Sequence, residues 1–200
     1  MTDQAGATPP QTPTVELMAP PTPGELPPDR IADLLGSTSA LIEAELRALT
    51  EDDARWHPPS TTDDKTHHEW CVNEVLGHLI ESEKRGFFGR ITRTIEQDRP
   101  IEEPWDQIAV ARERRDCERM VMSLFMEWMG LRRRSLELVR SLTPGQLERA
   151  CVHGKVGELG VKGLLHEWVH HDRNHTRQLL ANVQARVWPH MANSQKFVGE

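Results

Sequence analysis

Residues 161–187, VKGLLHEWVHHDRNHTRQLLANVQARV, decide the fold. Val161, Leu164, Leu165, Trp168, Val169, Leu179 and Val183 recur at three-and-four spacing, the period that gathers side chains on one face of an α-helix. The run stops just short of Pro189, whose ring pushes the preceding residue out of the helical region. This helix also carries four of the ten histidines in the chain: His166, His170, His171 and His175.

Towards the N-terminus the same period returns three times. Residues 29–50 place Ile31, Leu34, Leu35, Leu41, Ile42 and Leu49 on one side, with Asp29 as a plausible cap. Residues 69–97 do so with Val72, Val75, Leu76, Leu79, Ile80, Phe87 and Ile91, ending before Pro100. Residues 115–142 do so with Leu124, Trp128, Leu131, Leu138 and Leu142. Strand signals are nearly absent. The loop 52–68 joins the first two helices, and the connector 100–110 is long enough to cross the end of a bundle. The segment 143–160 is read as a loop, broken by Pro144, Gly145, Gly154, Gly157 and Gly160. The expected fold is all-α, a four-helix bundle over residues 29–200 with long second and third connections.

Composition sets the outer limits. The 200 residues include 24 Lys+Arg and 31 Asp+Glu, a net charge of −7. That balance argues against a general electrostatic grip on nucleic acid or on an anionic bilayer. The one dense basic spot, Arg132–Arg134, reads as a solvated helix face. No segment approaches the roughly 18 apolar residues of a membrane span. Eight of the 14 prolines lie within residues 1–28, which have neither the charge nor the apolar run of a secretory signal and read as a disordered extension. Cys71, Cys117 and Cys151 are far apart, with no CxxC, so neither a disulfide framework nor a thiolate zinc site is readable, and a reducing cytoplasm is the simplest setting.

Chemistry concentrates on the histidines. Residues four apart on a helix stand about 5–6 Å apart, so His166 with His170, or His171 with His175, would each place two imidazoles on one ion. Advancing about 100° per residue from His166, the apolar stripe centres near 240°. His171 and His175 fall near 140° and 180°, at its border, whereas His166 and His170 fall on the far side. HEWVH matches the zincin pattern H-E-x-x-H, with Glu167 as the base. However, Arg173 and Thr176 stand where the extended motif needs Gly and His, and no suitable downstream Glu ligand follows. His166 and His170 are therefore read as a solvent-facing pair. A third ligand for His171 and His175 is not selected by periodicity, which leaves His78 at the edge of its helix or outside the stripe. His57, His67, His68, His153 and His190 lie in loops or ends.

The run EWCVNEVLGHLIESE (69–83), followed some ninety residues later by GLLHEWVHHDRNHTRQL (163–179), resembles the DinB/YfiT-like metalloprotein family. The resemblance rests on Trp70, Glu74, His78, Leu79 and Glu81 or Glu83, then on His171, His175 and Gln178, and extends over most of residues 29–188. Cys71 departs from the Ser or Thr common at that helix start. The family implies a four-helix bundle, often a homodimer, in which His78, His171 and His175 bind a divalent metal, with zinc or nickel first among the ions that imidazole suits.

Asp172, in the middle of the apolar stripe, needs a partner if it is buried. Gln178 is placed at the mouth of the site or as a bridge between helices. Glu81 is a weak candidate proton acceptor, with a solvated surface position the simpler reading. With no Tyr in the chain, any general acid must be a water, a histidine or a carboxylate. The expected activity is metal-dependent chemistry on a small molecule, transfer of a metal-activated low-molecular-weight thiol ahead of hydrolysis. The alternative is a metal- or ligand-binding bundle without turnover, serving a stress response.

Overall fold

The computed structural model describes residues 24–60 and 69–199. The extension expected over residues 1–28 therefore falls largely outside the described residues. Its last part, residues 24–27, runs extended, and Leu26 N–H donates to His166 Nε2 at 3.0 Å.

The four-helix bundle is present. Its first member, α1 (Pro28–Leu46), begins with proline at a position where the missing N–H is not needed. After α2 (Glu51–Arg55), capped by Thr50 and Asp53 in a reciprocal box, comes the second member in two pieces. These are α3 (Val72–Glu81) and α4 (Phe88–Glu96), joined by a π-helical turn over Ser82–Gly86. The third and fourth members are α6 (Val121–Ser141) and α8 (Val161–Val187). The limits of α8 are those read from its sequence.

The connections hold more structure than their sequence suggested. Inside the segment expected to be connector and early third helix lie a two-residue strand β1 (Ile101–Glu102), α5 (Gln107–Arg114) and one turn of 3-10 helix at Asp116–Glu118. Asp106 caps α5 by accepting from the Ile108 and Ala109 amides, and Arg115 takes a left-handed conformation (φ 51°) that stops it. The third long helix thus starts at Val121, not Arg115. The segment expected to be loop contains α7 (Pro144–Leu147), β2 (Ala150–His153) and β3 (Gly157–Gly160). β1 pairs parallel with β2, and β2 antiparallel with β3.

Two apolar clusters fill the bundle. One gathers Ile42, Leu46, Leu76, Leu79, Phe125 and Trp128; the other gathers Ile31, Leu35, Phe87, Ile91, Leu165 and Trp168. Leu41, expected inward, is 53% exposed, whereas Leu46, one turn on from buried Ile42, is buried. Arg132, expected on a solvated face, is buried between the clusters, its guanidinium 4.8 Å from the Trp128 ring and 5.6 Å from that of Trp168. Among the described residues, no helix is long and apolar enough to cross a membrane.

Candidate metal centre

The last two turns of α3 and the middle of α8 bring three imidazoles to one point. His78 and His171 place their Nε2 atoms 3.0 Å apart, and the ring of His175 lies 4.3 Å from that of His78 and 4.4 Å from that of His171, centre to centre. One nitrogen from each histidine lies within 4.8 Å of the others. Ser82, which opens the π turn, sets its hydroxyl 3.3 Å from both Nε2 atoms. Trp70 and Trp105 flank His78, and Phe87 meets His171 edge-on at 5.1 Å.

These surroundings hold His78 and His175 neutral. Burial, reinforced by His175 and His171, pushes the His78 imidazole down to about 3. Burial and His171 push His175 down to about 4, against the opposing pull of Gln178 and Asp172. Gln178 Oε1 lies 2.9 Å from His175 Nδ1. A carbonyl oxygen only accepts, so Nδ1 carries the proton and Nε2 keeps its lone pair.

Behind His171 stands a buried charge network. Asp172 and Glu83 are each 1% exposed and share Arg132, which donates from Nη1 to Asp172 Oδ2 at 2.6 Å and from Nε to Glu83 Oε1 at 2.5 Å. Ser135 donates to the other Glu83 oxygen, and the Leu35 carbonyl accepts a further bond from Arg132 at 3.2 Å. Burial raises Asp172, but Arg132 and His171 outweigh it and hold the carboxyl below its ordinary value; burial and the Asp172 charge push Glu83 up. The free oxygen of Asp172, Oδ1, faces His171 Nδ1 at 3.6 Å, and neither atom has another hydrogen-bond partner.

That pairing bears on whether the residues fit a metal. An Nδ1 proton directed at Asp172 leaves the His171 Nε2 lone pair turned inward, and His175 is set the same way by Gln178. Nitrogen atoms about 2.0–2.1 Å from a tetrahedral ion stand about 3.3 Å apart, close to the observed 3.0 Å between the His78 and His171 atoms. The donor set fits a divalent ion.

The other expected residues are placed differently. Glu81 is buried, not at the surface; its oxygens meet Arg85 Nε at 2.6 Å and Arg114 Nη1 at 2.8 Å. Burial alone would raise it, but Arg85, Lys84 and Arg114 hold it below the ordinary carboxylate range, which makes it a weak base. His166 lies away from the centre, its Nδ1 2.8 Å from the Lys162 carbonyl and its Nε2 accepting from Leu26. His170 is exposed. Arg132 was not singled out as part of the site from sequence, and Glu83 entered only as an alternative to Glu81 in the family pattern. Spacing places Ser82, four residues from His78, on the same helical face, but gave it no role.

Comparison with known proteins places the fold and the family. "Putative metal-dependent hydrolase OB0782" of Oceanobacillus iheyensis is 23% identical over 119 residues, covering 60% of this chain and 68% of its own length. YfiT from Bacillus subtilis, described as a probable metal-dependent hydrolase with an unusual four-helix bundle topology, superposes with a TM-score of 0.71 at 19% identity, covering 86% of this chain and 96% of its own. A mycothiol-dependent maleylpyruvate isomerase shares the fold at a TM-score of 0.58 and 10% identity, over 77% of this chain and 61% of its own. The family model of the DinB superfamily matches residues 34–179, from the first helix through both halves of the histidine centre, and the chain belongs to that superfamily.

Proposed function

We propose that the chain is a divalent-metal-dependent enzyme acting on a small molecule, with His78, His171 and His175 as the ligands and thiol transfer favoured over hydrolysis. The observation that carries the metal is the convergence of three imidazoles from two helices, with His78 and His175 held neutral by burial. Zinc or nickel held there would supply the Lewis acidity that lowers the pKa of a bound thiol or water.

The surrounding residues favour the thiol. Among the described residues around the centre, the carboxylates are already engaged: Glu81 by Arg85 and Arg114, Asp172 and Glu83 by Arg132. A thiol, with an ordinary pKa near about 8.5, surrenders its proton far more readily than water at about 15.7 and asks less of a base. The fold shared with a mycothiol-dependent isomerase supports the same preference. Asp172 and Gln178 orient His171 and His175, Ser82 offers a hydroxyl at the centre, and Trp70, Trp105 and Phe87 shield it from water.

A homodimer in the cytoplasm completes the proposal. It is supported by exposed Leu180, Val187, Trp188 and Phe197 along and beyond the end of α8. Sedimentation of the purified chain should give twice the monomer mass.

The activity test uses zinc- or nickel-loaded protein with glutathione or cysteine and chlorodinitrobenzene, beside simple ester substrates. Thiol-dependent product formation that disappears in His78→Ala is expected. Ester cleavage at an undiminished rate without thiol would move the assignment to hydrolysis. No turnover from fully loaded protein would leave a metal-binding bundle without catalysis.

A further inference from the structure

The described residues hold a second convergence of ligand-type side chains, outside the three-histidine centre. His57 follows α2, Cys71 caps the start of α3, Glu74 lies one turn on, and Cys117 sits in the 3-10 turn Asp116–Glu118. One ligand atom from each lies within 4.8 Å of the other three. The sulfurs of Cys71 and Cys117 meet as a disulfide pair, so two cysteines that looked unrelated in sequence are neighbours.

Three features point beyond a simple cross-link. The Cα atoms stand 7.1 Å apart, whereas bridged cysteines usually span about 4.4–6.8 Å. Two thiolates about 2.3 Å from one tetrahedral ion stand about 3.8 Å from each other, which relieves that constraint. His57 Nδ1 lies 3.0 Å from the Glu69 carbonyl, an acceptor, so Nδ1 carries the proton and the Nε2 lone pair faces Cys117 Sγ at 3.6 Å. A ring N–H fixed on a backbone carbonyl, with the other nitrogen turned toward the Cys117 sulfur, is the orientation of a metal-bound histidine. Finally, the site is built. Cys71 is fully buried at the N-terminus of α3, and Glu74 Oε2 accepts from the Cys71 amide at 2.9 Å. Buried Asn73 clamps the Cys117 turn to α3 by donating to the Asp116 and Arg119 carbonyls at 3.2 and 3.0 Å.

We propose that reduced Cys71 and Cys117, with His57 and Glu74, hold a second divalent ion of the zinc type. It ties the segment after α2 and the Cys117 turn to the start of α3. Binding releases one proton from each thiol and involves no oxidation. Cys71 and His78 are seven residues apart on α3, about 10 Å along the axis, so the two centres are distinct. The second ion is structural and stands whether or not the histidine centre is catalytic.

Cobalt titration of the full chain, stripped of metal and kept under reductant, tests this, because thiolate ligands give a near-ultraviolet charge-transfer band that imidazoles do not. The band should saturate at about one equivalent, persist in His78→Ala, and vanish in Cys117→Ser. Should Cys117→Ser fail to fold, the band in the parent and its survival in His78→Ala still decide. Absence of the band from the reduced parent overturns the proposal. So does mass spectrometry showing Cys71 and Cys117 still disulfide-linked under reductant, which would make the pair a cross-link only.

Discussion

Asp172 sits beside His171 in sequence yet at the centre of the apolar stripe of α8, and its burial costs free energy that Arg132 offsets. Its helical phase made the burial legible; the partner was not legible. Arg132 lies within three consecutive arginines, a pattern that describes a solvated face, and its burial against Trp128 and Trp168 depends on packing from two other helices. Removing one partner of such a network leaves charge uncompensated. Arg132→Ala should therefore lower stability by about 3–5 kcal/mol, measured by urea unfolding. Asp172→Asn keeps the shape and a bond to Arg132 but loses the charge facing His171. It should weaken metal binding about 10–100-fold with little change in helix content, read by competition with a chelating dye. Unchanged affinity would confine Asp172 to the core.

At the scale of elements, α8 was legible to its limits because it has one solvated face and one buried face. The piece α3 was harder, since all its residues except Glu74 are buried and no solvated side exists from which to measure phase. That is why His78 appeared to lie at an edge. The π turn after it adds a further shift that a constant 100° step does not follow, and π turns recur at functional sites. The three short strands escaped notice because two to four residues are too few to show a period. Close approach of elements is also invisible in sequence. A Cβ on Gly77 would fall 1.8 Å from Asp116 Oδ2, and Asp116 cannot swing away because Arg114 and Arg119 hold it. Gly77→Ala should thus lower stability by about 1–3 kcal/mol, with a lower thermal midpoint as the readout.

For the whole molecule, the four-helix plan was legible through periodicity and the resemblance together, and the three histidines that converge were picked out through the resemblance more than through periodicity. The second cluster was not legible, since His57, Cys71 and Cys117 are joined only by the fold. The buried histidines also set a pH dependence. His78 and His175 titrate at about 3 and 4 in the folded, metal-free chain, against about 6.5 when unfolded. Below about 6.5 the unfolded chain therefore binds more protons, and stability falls as the pH is lowered, by up to about 1.4 kcal/mol per unit for each histidine. That loss should be visible as a falling thermal midpoint between about pH 6.5 and 4, and smaller with metal bound at the upper end of that range.

The central claim is that His78, His171 and His175 share one ion. Metal analysis of the parent, His78→Ala and His166→Ala, purified alike, addresses it most directly. His78→Ala should lose about one equivalent relative to the parent, and His166→Ala none. Metal unchanged in His78→Ala, or lost in His166→Ala alone, would contradict the account.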